Sequence, residues 1–160
     1  AKVFAGDEDP FVIGECFTGL LTVEPDESPA FVARFLGDDD DAIFEVAALA
    51  LGESRLPQAF EWLEGAWAGV YVPIERRRVL VRAAALHRSD TALDWLLRLV
   101  TEAEPRIAGE IVDVLSIYRH NEKLAARMRA VVAERAEGSL VDNWRQAWEG
   151  GVGGNDSARD

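Results

Sequence analysis

Two sets of apolar residues with the same helical spacing lie 30 positions apart, and this repetition constrains the fold more than any other feature. The first set is Ile13, Cys16, Phe17, Leu20 and Leu21, and the second is Ile43, Val46, Ala47, Ala50 and Leu51. Spacing of i, i+3, i+4, i+7 and i+8 places each set on one face of an α-helix. The sequence therefore predicts two copies of one helix, each with a single buried stripe.

Two later segments continue this series, and a second helical series lies between its members. The later members of the first series are Val79, Ala83, Leu86 and His87, with Arg82 at the i+3 position, and then Ile107, Ile111, Val114 and Leu115. The second series is Val32, Phe35 and Leu36; Phe60, Leu63 and Trp67; Leu93, Leu96, Leu97 and Val100; Leu124, Met128, Val131 and Val132. A two-helix unit that recurs at about 30 residues is typical of an α-solenoid, in which neighbouring units bury one another's apolar faces.

These patterns predict an all-α fold: an α-solenoid of about four antiparallel helix pairs in one domain, residues 1–149. The predicted units are 10–37, 41–68, 74–101 and 105–136. A short capping helix is expected over 139–149, through Leu140, Trp144 and Trp148. Residues 150–160 are expected to be a disordered tail.

Proline and short polar residues predict where the helices begin. Proline suits the first helical turn, because its φ is fixed and its missing N–H needs no partner. The predicted starts are Pro10, Pro29, Pro57, Pro73 and Pro105. The predicted N-caps are Asp9, Ser28, Asp41, either Ser89 or Asp90, and Asn121.

The run Phe35–Gly52 resembles the HEAT-like repeat of the phycocyanobilin-lyase type, and the match is best over residues 30–100. In that family one helix ends, an Asp-rich turn follows, and the next helix is Ala-rich and closes on Ala-Leu-Gly. Val81–His87 is similar to the same helix in a later unit, whereas Glu45 stands where the family commonly has Arg. The resemblance implies a protein-interaction scaffold that binds through second helices; a minority of the family attaches bilins.

Charge is distributed very unevenly along the chain. Residues 1–75 hold 16 acids and 3 bases, a net charge of −13, while residues 76–160 hold 13 acids and 14 bases, a net charge of +1. An acidic field repels nucleic acid and anionic lipid and attracts basic proteins or cations. The sequence thus favours a protein partner with a basic surface and predicts no nucleic-acid or membrane partner; solubilisation is the alternative role of these acids.

Other compartments and chemistries have little support. The longest charge-free stretch, Gly65–Ile74, is about half of what a membrane span needs and contains Pro73. With one cysteine, Cys16, no intrachain disulfide can form, and a cytoplasmic location is expected. His87 and His120 lack ligand spacing, and Ile43 and Leu49 stand where an EF-hand beginning at Asp38 would need Gly and Glu. No metal, cofactor or catalytic residue is predicted.

The second helices of the middle two units carry acids beside tryptophans. They supply the predicted partner-binding residues Glu61, Trp62, Glu64, Trp95 and Arg98. Tryptophan is enriched in binding hot spots, although filling gaps between helices is the alternative role. The cluster Arg76–Arg78 with Arg82 is expected to pair with neighbouring acids.

The predicted function is a non-catalytic protein-interaction scaffold or regulatory module. The alternative is a small enzyme or enzyme subunit of HEAT-like fold, either a bilin-lyase relative or a nucleic-acid repair protein with Glu61, Glu64 or Asp94 beside an aromatic wall. The acidic charge opposes the repair hypothesis, since such an enzyme needs a phosphate-binding surface.

Overall fold

The computed structural model describes residues 9–150, and within that range it has nine α-helices and no strand. The helices are α1 (Pro10–Val23), α2 (Ser28–Ala33), α3 (Asp41–Ser54), α4 (Pro57–Trp67), α5 (Ile74–His87), α6 (Asp90–Glu102), α7 (Pro105–Leu115), α8 (Glu122–Arg135) and α9 (Gly138–Trp144). Short 3-10 turns extend α2 to Gly37 and α7 to Tyr118, and a π turn extends α9 to Glu149. The predicted all-α fold is confirmed for this part of the chain. Residues 1–8 of the predicted domain and all but Gly150 of the predicted tail lie outside it.

Several helices begin as predicted. The Asp9 carboxylate accepts a hydrogen bond from the Phe11 amide at 2.9 Å, and the Asn121 side chain accepts one from the Leu124 amide at 3.1 Å. Ser89, rather than Asp90, caps α6. Each cap satisfies an amide that the first helical turn leaves without a backbone acceptor.

Two predicted caps are wrong by one residue. Asp40 is the N-cap of α3 and accepts a hydrogen bond from the Ala42 amide at 2.8 Å, so Asp41 is the first helical residue. Ser28 is likewise the first residue of α2, and its hydroxyl donates to the Glu24 carbonyl oxygen at 2.6 Å. At α3 the Asp40 carboxylate reaches the amide in place of Asp41, whereas at α2 the N-cap is Glu27, whose side chain caps no amide.

The prolines lie at helix starts, and two of the five are shifted by one residue. Pro10, Pro57 and Pro105 are each the first helical residue, and Pro29 is the second residue of α2. Pro73 is the N-cap of α5, just before its first residue. All five positions are ones where no backbone N–H is required by the helix.

The described residues form two compact units, which divide between Leu93 and Asp94 inside α6. In the first unit α3 packs against α1 on one side and α5 on the other, while α2 packs against α4. The largest fully buried side chains of this unit include Phe17, Leu51, Leu63 and Leu80. In the second unit α9 packs against both α7 and α8, around Ile107, Ile111, Leu115 and Met128.

Helices α3 and α5 approach very closely where both are rich in small residues. Gly52 lies against the backbone of α5, and a Cβ at this position would overlap the carbonyl oxygen of Ala83. Gly14 brings α1 to α3 in a similar way, because a Cβ there would lie 3.1 Å from Cβ of Val46. Small residues thus set the distances between α3 and both of its neighbours.

In the second unit, side chains donate hydrogen bonds to backbone carbonyl oxygens near the ends of α6 and α7. The Trp148 indole N–H donates to the Val112 carbonyl oxygen at 2.9 Å, near the end of α7. The Arg135 guanidinium donates to the carbonyl oxygens of Val100 at 2.8 Å and Ala103 at 2.6 Å, at the end of α6. Side chains from later helices therefore satisfy carbonyl groups that those helix ends expose.

All residues of the predicted apolar stripes are buried or partly buried. The pattern missed part of the core, including Phe44, Leu80, Val81 and Ala84. These extra residues belong to α3 and α5, which are covered on more than one side and therefore bury more than a single stripe.

Candidate protein-interaction surface

Helix α4 presents three of the five predicted partner-binding residues. Its buried face consists of Ala59, Phe60 and Leu63, so a helix of 3.6 residues per turn turns the intervening positions outward. Glu61, Trp62 and Glu64 are exposed, and Trp62 keeps 46% of its surface accessible. An indole half exposed on an outer helix face is available to a partner.

The carboxylate of Glu61 is unengaged. It makes no hydrogen bond or ion pair with the residues that the structure describes. Other acids of the same unit differ: Asp41 lies 2.7 Å from Arg76, and the closest oxygen of Glu45 lies 3.4 Å from Arg82. The carboxylate of Glu61, next to Trp62, thus makes no contact that stabilises the described part of the fold, and it remains available to a partner.

Trp95 and Arg98 belong to the second unit and differ from each other. Trp95 is only 5% exposed, so its indole contributes to packing and offers little surface. Arg98 is exposed, with its Nε 3.9 Å from a carboxylate oxygen of Glu102. The structure therefore groups Glu61, Trp62 and Glu64 on one helix and does not add Trp95 to an exposed surface.

Arg98 borders a groove of 350 Å³ between α6 and α8. Its walls carry both signs of charge, and Arg127 and Asp94 form an ion pair across it at 2.6 Å. This pair satisfies two of the charges internally. The groove thus combines acids and bases, whereas the charged residues of α4, Glu61 and Glu64, are both acidic.

Sequence reasoning missed the most exposed apolar residues of the described chain. Val70 and Tyr71, in the loop after α4, are both more than 90% exposed. The signal that could have found them is the charge-free stretch Gly65–Ile74, which is too short for a membrane span. The two neighbouring side chains expose apolar surface, and tyrosine is among the residue types enriched in binding hot spots.

The other tryptophans fill gaps. Trp144 and Trp148 are buried in the second unit, and Trp67 is partly buried beneath the guanidinium of Arg77, 4.9 Å from its ring centroid. Sequence alone left open which tryptophans are exposed. Among residues 9–150, Trp62 is the one tryptophan that is exposed.

The basic cluster pairs with acids as predicted, apart from one member. Arg76 and Arg82 form the ion pairs with α3 described above, and Arg78 lies 3.0 Å from Glu75. Arg77 instead stacks on Trp67. Arg76, Arg77 and Arg82 thus contact neighbouring helices, whereas Arg78 pairs with an acid of α5 itself.

The contacts of His87 are structural. His87 is buried, with both ring nitrogens within hydrogen-bond distance of oxygen atoms of Leu56 and Ser89. Cys16 is a partly buried free thiol. Over residues 9–150 no group of three or more His, Cys, Asp or Glu side chains is arranged to hold a metal ion.

One carboxyl has a shifted protonation equilibrium. Asp113 is exposed as a residue, yet partial burial of its carboxyl group raises its pKa above the ordinary value of 3.8. A hydrogen bond from Asn143 opposes this shift, and the charge of Glu110 adds to it.

The chain matches none of the family models, curated proteins or solved structures with which it was compared. None of the helices in the described range combines the length and apolar character that a bilayer crossing requires.

Proposed function

We propose that this chain is a non-catalytic protein-interaction module built as a HEAT-like α-solenoid. Support for stacked repeats comes from the spacing of its long-range contacts. Side-chain hydrogen bonds and ion pairs join Gln58 to Pro25, Arg82 to Glu45, Arg127 to Asp94 and Trp148 to Val112, at separations of 33 to 37 residues. A near-constant separation is what neighbouring repeats of about 30 to 35 residues produce.

The observation that carries the interaction role is the exposed indole of Trp62 beside the unengaged carboxylate of Glu61. A large apolar side chain has a higher free energy in water than in an apolar environment. Burying it against a partner is therefore favourable by about 25 cal/mol per Å² of apolar surface. Tryptophan and tyrosine dominate binding hot spots, and Tyr71 adds a second exposed aromatic residue in the same unit.

The partner that fits this surface has basic groups. Residues 9–75 contain 14 acids and 2 arginines, a net charge of −12. Such a field accelerates association with a cationic surface and disfavours an anionic one. The proposed partner is therefore a protein with lysine or arginine at its contact surface.

A photo-crosslinking residue at position 62 tests the role of this surface. In a lysate of the source cell, we expect one dominant crosslinked protein, with none from the same group placed at the exposed Ala133. The isolated partner should then bind the wild-type chain at least tenfold more tightly than a folded Trp62→Ala variant. Equal affinity of the two, or equal crosslinking from both positions, overturns the proposal.

A further inference from the structure

The turn between α1 and α2 forms an open concave surface lined by both apolar and acidic residues. Two adjoining hollows, of 410 and 240 Å³, share Glu24 and Glu27. Together we call them the α1–α2 hollow, which is lined by Leu20, Val23, Glu24, Pro25, Asp26, Glu27, Ser28 and Phe31. Val23 is 77% exposed, and Leu20 and Phe31 are partly exposed, so the apolar part of the hollow is accessible.

The three carboxylates of the hollow have no partner within the part of the chain that the structure describes. Glu24, Asp26 and Glu27 are exposed, and none of their carboxylate oxygens takes part in a hydrogen bond or ion pair there. The Asp38–Asp41 run is different, because Asp40 caps α3 and Asp41 pairs with Arg76. The hollow differs from other acidic segments because its carboxylates have no partner among the described residues and because they surround accessible apolar side chains.

The backbone of the turn is held in place before any ligand binds. The Glu24 carbonyl oxygen accepts from both the amide and the hydroxyl of Ser28, at 3.0 and 2.6 Å. The side-chain amide of Gln58 donates to the Pro25 carbonyl oxygen at 3.0 Å. A fixed turn lowers the conformational entropy lost on binding.

Gln58 also links the hollow to the α4 surface. Gln58, Glu61 and Trp62 occupy positions i, i+3 and i+4 of α4, which share one face of a helix. Gln58, which bonds to the turn, and Trp62 are thus about one helical turn apart along α4, roughly 5.4 Å. An extended peptide, rising about 3.3 Å per residue, can contact both within a few residues.

We infer that the α1–α2 hollow binds an arginine or lysine side chain of an extended basic segment, whose neighbouring residues contact Trp62. The aliphatic stem of such a side chain fits against Leu20, Val23 and Phe31, while its cationic head meets the carboxylates of the hollow. A second cation a few residues away gains from the face of the Trp62 indole. This inference rests on the proposed interaction function and specifies the chemistry of its ligand.

The test uses a fluorescein-labelled 12-residue Gly/Ser peptide with arginine at every third position, titrated with the full chain and followed by anisotropy. The hollow variant is Glu24→Gln/Asp26→Asn/Glu27→Gln. Its matched control, Glu15→Gln/Asp39→Asn/Glu53→Gln, removes the same charge from exposed acids of the same unit whose carboxylates likewise have no partner among the described residues. Both variants are first checked for wild-type circular dichroism.

We expect the hollow variant to bind the arginine peptide at least tenfold more weakly, the control triple within about threefold of wild type, and a glutamine version of the peptide not to bind. Equal weakening by both triples means that only net charge attracts the peptide, and this overturns the inference. Absence of peptide binding by the wild type also overturns it. Neither result affects the crosslinking test at position 62, so failure of this inference is distinguishable from failure of the proposed function.

Discussion

The Nε2 atom of His87 lies 2.9 Å from the carbonyl oxygen of Leu56, and the imidazole joins three helices. His87 ends α5 and Leu56 is the N-cap of α4. Because a carbonyl oxygen only accepts, Nε2 carries the proton and Nδ1 faces the Ser89 hydroxyl, at 2.8 Å. Ser89 in turn caps the first turn of α6, so one buried side chain at the end of α5 contacts both the N-cap residue of α4 and that of α6.

We expect His87→Phe to lower the free energy of unfolding by about 1–3 kcal/mol, because it leaves a partly buried carbonyl oxygen and the Ser89 hydroxyl without their partner. Urea denaturation followed by circular dichroism measures the change. His120→Phe is the matched control, since His120 is exposed, and it should stay within about 0.5 kcal/mol of wild type. An effect of equal size in the control would show that His87 is not a special contact.

Gly52→Ala should destabilise the chain by about 1–3 kcal/mol, because the added methyl group overlaps the Ala83 backbone and forces α3 and α5 apart. Gly65→Ala is the opposite case: it lies within α4 with nothing within 4 Å of its Cβ position. There alanine should stabilise by about 0.5–1 kcal/mol through its higher helix propensity. Thermal denaturation of the two variants should move the midpoint in opposite directions; a shared direction contradicts the close approach.

Arg135→Met is predicted to destabilise the second unit by about 2–3 kcal/mol. The guanidinium donates to two carbonyl oxygens at the end of α6 and to Glu137 at 2.9 Å, and its loss leaves all three acceptors without that donor. Hydrogen exchange of the amides in α6 and α8 should quicken. In Arg106→Met, a change at an exposed arginine, exchange and stability should remain as in wild type.

At neutral pH we expect the charged Asp113 to lower the free energy of unfolding, relative to a neutral side chain at the same position. Partial burial, aided by Glu110, raises the pKa of Asp113 in the folded state above 3.8, so the folded state holds the proton more tightly than the unfolded state does. Stability therefore falls as pH rises from 3.8 through the folded-state pKa, and the loss is complete above that pKa.

Asp113→Asn removes this loss. We expect it to raise the unfolding free energy at pH 7, with a gain that shrinks as pH falls and disappears below 3.8. Urea titrations at pH 7, 5 and 4 test the trend, with Glu134→Gln as the exposed control. A gain that does not change with pH would assign the effect to packing and not to protonation.

Helix type and most helix starts were predictable from the sequence because they depend on neighbours in the chain. Apolar residues at helical spacing, together with Asp9, Asn121 and the prolines, act within one or two turns, and the structure places them accordingly. Even the failure at Asp41 is a shift of one residue, caused by an equally good oxygen on Asp40. The acidic character of the first half is likewise a property of sequence alone.

The accessibility of individual side chains was decided by tertiary structure. Trp62 and Trp95 both lie on predicted second helices with apolar periodicity, yet one is half exposed and the other is buried, because burial depends on which helices cover each face. Val70 and Tyr71 are exposed in the loop that follows α4, and Gln58, 33 residues away along the chain, donates a hydrogen bond to the Pro25 carbonyl oxygen in the turn of the α1–α2 hollow. Local chemistry thus determined the helices, whereas long-range packing decided which residues remain available for binding.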